Sequence, residues 1–342
     1  MKNVSEIIEQ GNKNAELPAW LNMRHAWSAN DAKRDEGLAY PDNVIQIKNL
    51  DYKKAIDVKK WNESFQREDN ERIIYYNEPD DASNLDSERY ASNSLFDIYS
   101  PAEPDAQTTY PVIVSVHGGG WFYGDKELYS YYCCHLASKG FAVVNFNYRL
   151  APQNKYPAAI EDVAYIIHYI HENAGMLHLD TEKFYMLGDS AQLTANYCII
   201  AGNAAYRSKL DFFTYDRLPK AVCLNCGAYE MDKREDNISD WYMKKEDGSY
   251  VVSEEQRKLF LSQLEYLTKD FPPAYLMYSV NDDLRFQTIH LDERMEKLGV
   301  RHVIRSFGEK HPDSGHVFHI NLKNPEGVQC NEEECAWFRQ YE

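Results

Sequence analysis

The sequence has no apolar run near the roughly 18 residues that a membrane-spanning helix requires, which argues against a helical membrane protein. It also lacks a basic excess. Lys and Arg number 37 against 54 Asp and Glu, giving a formal charge of −17. Such a surface repels polyanions, so nucleic acid and anionic membranes are poor partners. The opening stretch, MKNVSEIIEQGNKNAE, is too polar for a signal-peptide core, and a cytoplasmic location is expected. Cysteine offers no disulfide framework: the count is seven, odd and without an export signal. Cys223 and Cys226 form a C-x2-C pair, but inside the apolar run KAVCLNCG and without a second pair at zinc-finger spacing. They read as buried thiols. Cys330 and Cys335 could pair or stay free. No internal repeat or low-complexity tract is present.

What the chain does have is apolar and aromatic material for a sizeable core, 44% and 13% of its 342 residues, with 26 Tyr. That length suits one large α/β domain with an accessory segment. Residues 1–90 are polar and mixed, with a helical stretch expected at 26–36, a short strand at 73–76 and an acidic loop at 77–86. They read as an extension that supplies edge strands and part of a lid. From about residue 95 short β-rich runs alternate with helical ones. Strands are expected at 95–99, 112–116, 142–146, 184–187, 221–224, 275–280 and 302–307. Helices are expected at 128–138, 158–173, 191–202, 254–267, 287–297 and 332–339. Several strand runs are continuously apolar, as strands buried on both faces are. The alternation predicts an α/β protein whose mostly parallel sheet carries helices on both faces, with ligands beyond the carboxyl ends of its strands. A charged stretch within 230–253 interrupts the rhythm and reads as a lid insertion. Residues 101–110 read as a proline-containing surface loop.

Two segments carry candidate chemistry. In FYMLGDSAQ (184–192) a buried strand meets a small turn, a serine and a helical run. A strand-to-helix turn of that kind lifts Ser190 above the sheet and places the N–H of Ala191 at the first turn of a helix. The usual G-x-S-x-G is broken by Gln192, so Ser190 could equally be an ordinary helix cap. In PVIVSVHGGGWFYGD (111–125) an apolar strand ends in His117 and three glycines. Gly118 and Gly119 can turn backbone N–H groups inward to accept an oxyanion. A plain flexible turn is the alternative, while a phosphate loop would need a following Lys-Ser/Thr that is absent. Trp121, Phe122 and Asp189 are the candidate substrate-pocket residues. An acid and a base complete the set. Asp282 and Asp283 follow a strand, and His311, His316 and His319 follow the next one. Ser, Asp, His is the order in which an α/β-hydrolase presents its nucleophile, acid and base.

On these residues the chain resembles the hormone-sensitive-lipase-like branch of the α/β-hydrolase fold, over roughly residues 90–320. HGGGW (117–121) resembles its oxyanion loop. NYRLAPQNKYPAAIED (147–162) and PPAYLMYSVNDDL (272–284) resemble further signature blocks, and GDSAQ (188–192) matches its GDSAG except at the last residue. The resemblance implies a small helical lid and assigns the acid to Asp282. The family's H-G-F is matched by His316-Val317-Phe318, so the base falls on His316. It makes Glu161 and Asp162 structural carboxylates and Arg149 an anchor for the loop after its strand. It implies a serine esterase acting on short-chain esters, acetyl esters foremost, with no metal or organic cofactor. The implied partner is a small-molecule ester, an acetylated sugar among the candidates. An amide hydrolase such as an exopeptidase, and a catalytically degenerate binding protein, are the competing readings; Gln192 is the departure that favours the last.

Overall fold

A computed structural model of the chain describes residues 17–64, 72–77, 84–101, 108–233 and 238–342. The predicted loops at 77–86 and 101–110 and the insertion at 230–253 lie partly outside these. One nine-stranded sheet runs through the molecule in the order β2-β1-β3-β5-β4-β6-β7-β8-β9. The strands are β1 (Val44–Asp51), β2 (Ile73–Tyr75), β3 (Leu95–Pro101), β4 (Tyr110–Val116), β5 (Ala142–Phe146), β6 (Leu179–Asp189), β7 (Ala221–Asn225), β8 (Ala274–Ser279) and β9 (His302–Phe307). The six from β5 to β9 along that order are mutually parallel; β3 pairs antiparallel with both β5 and β1.

Alternate strand residues feed two cores, because successive side chains point to opposite faces. On one face Ile113, Val143, Tyr185, Cys223 and Met277 pack with Tyr132, Cys133 and Leu136 of the Ser130–Ala137 helix and with Trp337 and Phe338 of the Pro325–Arg339 helix. On the other, Val112, Val144, Met186, Leu224 and Leu276 meet the Ala158–Glu172, Leu193–Gly202 and Arg285–Leu298 helices. In the first of these, Ile160, Val163, Ala164, Ile167 and Ile170 recur every three or four residues and are all buried. The last helix of the chain starts at a sharp cap: the Asn324 side chain accepts the N–H groups of Glu326 and Gly327, and Pro325 fills the first turn.

The described residues between 17 and 90 are built into this body. The Ala19–Asp35 helix lies along the loop that follows β4, with Trp27 against the rings of Phe122 and Tyr123 at 5.0 and 5.5 Å. Near β1 an ion cluster is shut inside. Asp97 of β3 takes Lys48 Nζ at 2.9 Å and Lys126 Nζ at 3.0 Å, and both lysines also reach Glu127. The Asn49 N–H and the Tyr99 hydroxyl donate to the same carboxylate. Burial alone raises the Asp97 carboxyl, but Lys126 and Lys48 more than offset it and hold it below its ordinary value.

All seven cysteines are free and buried. Burial raises every resolved thiol, Cys133 and Cys335 to about 12 and Cys223, Cys226 and Cys330 further.

Replacing Asp97 by Ala leaves two buried ammonium groups with only the partly exposed Glu127 carboxylate as a shared partner. A loss of roughly 3–5 kcal/mol in urea unfolding at pH 7 is expected. Because the folded carboxyl sits below its unfolded value, the native protein should also shed this stabilisation as pH falls through the acid range, and the variant should not. A loss under about 1 kcal/mol would mean that the cost of burying these charges offsets most of what Asp97 contributes.

Candidate active site

Ser190, Asp282 and His316 converge at the carboxyl ends of β6, β8 and β9. The Ser190 hydroxyl lies 2.9 Å from His316 Nε2, and His316 Nδ1 lies 2.8 Å from Asp282 Oδ2. Asp282 is buried, which alone would raise its carboxyl. The His316 ring, the N–H of Leu284 and the Cys226 thiol outweigh burial and lower it. An ionised Asp282 can only accept, so Nδ1 carries the ring proton and Nε2 is left to accept from the serine. Asp283 is exposed, whereas Asp282 faces the ring. His319 is enclosed edge-on against Tyr132, where burial lowers it to about 3. His311 lines a surface hollow of about 310 Å³ with Arg305 and Glu333. Among the described residues, one group of three side chains has the spacing of metal ligands: Cys226, Asp282 and His316. Burial keeps its thiol protonated and two members already serve the hydrogen-bonded chain.

The serine sits on a strained turn. Ser190 has φ +48° and Gln192 φ +47°, both in the left-handed region that disfavours side chains. The turn is held by the Ser190 N–H on Asn225 O and the Ala228 N–H on Ser190 O. Gln192 takes the backbone of the glycine it replaces and turns its side chain away from the serine. Its amide donates to the carbonyls of Asn225 and Gly188 at 3.2 and 3.4 Å. Room for it comes from Gly227, where a Cβ would stand 2.5 Å from Gln192 Cγ and 2.3 Å from the Tyr229 ring.

The glycine loop approaches from β4. Gly119 has φ +104°, and a Cβ there would lie 1.9 Å from Tyr123 O, so only glycine fits. The expectation for Gly118 needs correction: its N–H already donates to the Tyr129 hydroxyl at 3.0 Å. Among the described residues no acceptor meets the N–H groups of Gly119, Gly120 or Ala191. The uncommitted N–H groups of the loop are therefore those of Gly119 and Gly120, one residue further along the chain than expected. The loop's carbonyls are tied from behind. Gly118 O accepts from His117 Nδ1 and the Tyr148 hydroxyl, and Gly119 O from the N–H groups of Phe122 and Tyr123. His117 is buried, which lowers it to about 4 and leaves the ring neutral.

The three residues expected at the pocket lie in the interior. Trp121, Phe122 and Asp189 are all buried. Trp121 is stacked with Tyr242 and edge-on to Phe260; Phe122 is wedged between Trp27 and Trp241. They back the site as a wall. Trp241 and Tyr242 come from the Ile238–Met243 helix, whose carbonyls are held by Lys155 Nζ and the Tyr156 N–H. Asp189 lies under the glycine loop and accepts from the Tyr129 hydroxyl at 2.7 Å. Arg149 binds Asp162 and Glu161 at 2.8 and 2.7 Å, an anchor for the loop after β5. Sequence reasoning missed Tyr129, Tyr148 and Gly120. Only the run of three glycines signalled the last, and nothing local signalled the tyrosines.

Burial raises the Asp189 carboxyl to about 7, ahead of the opposing pull of Tyr129 and His316. A raised folded value makes the folded state bind the extra proton. Stability then falls as pH rises from about 4 to about 7 and levels off above that. Asp189→Asn removes this dependence while keeping an acceptor for Tyr129. Its thermal stability relative to the native protein should improve steadily between pH 4 and pH 7, by up to a few kcal/mol. A difference that stays constant across that range would show that Asp189 is not protonated in the fold.

Comparison with known proteins places this geometry. Esterase LipI of Mycobacterium tuberculosis is 29% identical over 218 residues, covering 59% of this chain and 65% of that one. The versiconal hemiacetal acetate esterase of Dothistroma septosporum is 27% identical over 208 residues, covering 56% and 62%. The match thus spans a little under two thirds of each relative. In three dimensions esterase B of Lactobacillus Rhamnosis superposes with a TM-score of 0.73 over 100% of this chain and 96% of that one, at 21% identity, a likeness of fold. Residues 96–285, more than half of the chain, match the BD-FAE family model, and the chain belongs to that family within the α/β-hydrolase fold.

Proposed function

We propose that this chain is a serine carboxylesterase of the hormone-sensitive-lipase-like branch, acting on short-chain esters of small molecules, acetyl esters above all. The observation that carries the reading is the continuous hydrogen-bond chain Ser190–His316–Asp282, with lengths of 2.9 and 2.8 Å, together with the N–H groups of Gly119, Gly120 and Ala191, which meet no acceptor among the described residues.

In the first half-reaction Ser190 Oγ attacks the ester carbonyl as His316 Nε2 takes its proton. The negative oxygen is received by the N–H groups of Gly119, Gly120 and Ala191. Loss of one such donor typically costs 10²–10³ in rate. Asp282 holds the ring in the right tautomer and stabilises its cation. His316 then protonates the leaving alcohol, activates water against the acyl-enzyme, and returns the proton to Ser190 as the acid is released. No metal or organic cofactor enters the cycle.

The wall at Gly120 is closely packed: a Cβ at that residue would be 3.0 Å from the Phe122 ring and 3.1 Å from Ile238 Cγ2. A short acyl group is supported by the acetate ester named for the Dothistroma relative. The Ile238–Met243 helix acts as a small lid whose rings meet the alcohol part, for which an acetylated sugar is one candidate.

Hydrolysis of p-nitrophenyl esters from acetate to decanoate tests this. Acetate and butyrate should turn over fastest, with activity declining along the series. Ser190→Ala should lose roughly 10⁴-fold or more in kcat and its labelling by a fluorophosphonate. Labelling that persists in that variant would remove Ser190 from the role, and a decanoate maximum would overturn the short-acyl assignment.

A further inference from the structure

Arg24 is fully buried in the middle of the Ala19–Asp35 helix. Its Nε donates to Phe122 O at 2.6 Å. One terminal nitrogen donates to Leu85 O, and the other to Ala151 O at 2.7 Å and Gln153 Oε1 at 3.0 Å. The rings of Trp20 and Tyr90 lie 4.6 and 5.2 Å from its carbon. Among the described residues no carboxylate bonds to it. Burial lowers it to about 10, which leaves it charged at neutral pH. A buried cation met by carbonyl dipoles and two aromatic rings, with Asp86 acting on it without a direct bond among the described residues, is costly. Mere fastening of a loop could be done by a neutral donor, so the charge calls for a reason.

The reason lies in what is attached to the Phe122 carbonyl. The peptide group that carries Phe122 O also carries the Tyr123 N–H, which donates to Gly119 O at 3.0 Å. That second peptide group carries the Gly120 N–H, which meets no acceptor among the described residues and is the donor assigned above to the oxyanion. Two peptide dipoles thus stand in line between the guanidinium and the oxyanion position, and hydrogen bonds in series polarise one another. The Phe122 N–H joins at the same Gly119 O, and the Ala151 N–H holds Trp121 O, so the line is fixed in place.

We propose that Arg24 is a positioning residue for the oxyanion site: its buried charge polarises the Phe122–Tyr123 and Gly119–Gly120 peptides and makes the Gly120 N–H a stronger donor to the negative oxygen. The inference rests on the reading of that loop given above. It explains why the Ala19–Asp35 helix, remote in sequence from Ser190, is packed along the loop. The effect grows as charge develops on the substrate oxygen, so it acts on the transition state more than on the bound ester.

The test compares Arg24→Lys, which keeps the charge, with Arg24→Gln and Arg24→Met, which do not. Rates are read on p-nitrophenyl acetate together with the affinity of butylboronic acid, which forms a tetrahedral anion on the serine. The neutral variants should lose roughly 10- to 100-fold in kcat with KM nearly unchanged, a smaller loss than removal of a direct donor. Boronate affinity should fall in step, and the Lys variant should stay within about fivefold of native on both readouts. Should Arg24→Met fail to fold, the Lys and Gln variants carry the comparison. A Gln variant as active as the Lys variant would overturn the role of the charge, as would a loss confined to KM. Native protein without Ser190-dependent turnover would instead overturn the functional reading, and this proposal with it.

Discussion

A loop that offers N–H groups to a substrate must leave them unused in the folded chain, so its carbonyls have to be satisfied from behind. In the segment after β4 nearly every one is. His117 and Tyr148 serve Gly118 O, two following N–H groups serve Gly119 O, Ala151 serves Trp121 O, and Arg24 serves Phe122 O. Tyr90 reaches Gly124 on both its N–H and carbonyl sides. These partners come from the N-terminal helix, the segment before β3 and the loop after β5. The described residues between 17 and 90 are therefore part of the site's scaffold as much as an edge to the sheet.

Much of the architecture was legible because its signals are local. Strands buried on both faces are largely apolar, and the run at 142–146 coincides with β5, whose five residues are all buried; the run at 302–307 also coincides with β9, an edge strand of mixed exposure. The strand β1 escaped notice. It carries Gln46, Lys48 and Asn49 among its buried residues, and Lys48 is tolerable there only because Asp97 and Glu127 lie across from it. A charge compensated by a residue 49 positions further on has no local pattern. The order Ser, Asp, His and the strand ends that carry it could be read from the chain. Which of three consecutive glycines gives up its N–H could not, because that depends on the Tyr129 hydroxyl. Arg24 was equally hidden, since its partners, three backbone carbonyls and one side-chain amide, lie up to 129 positions away.

Gln192 shows the same dependence at a single position. From the sequence it counted against a working nucleophile turn. In the fold the left-handed backbone is retained, the side chain leaves the serine, and its volume fits over Gly227. A departure from a motif has physical meaning only beside the residues that surround it, and here the compensating residue lies 35 positions further along the chain.

The seven thiols share one property, enclosure in the two cores with their ionisation pushed upward. Since the thiolate is the reactive form, the folded protein presents an almost blank background to maleimides and similar reagents. One cysteine introduced on the outer face, for instance at the exposed Phe286 beside the acid-bearing turn, would then take a spectroscopic label alone. Motions around the site could be followed in this way without first stripping the native thiols from the core.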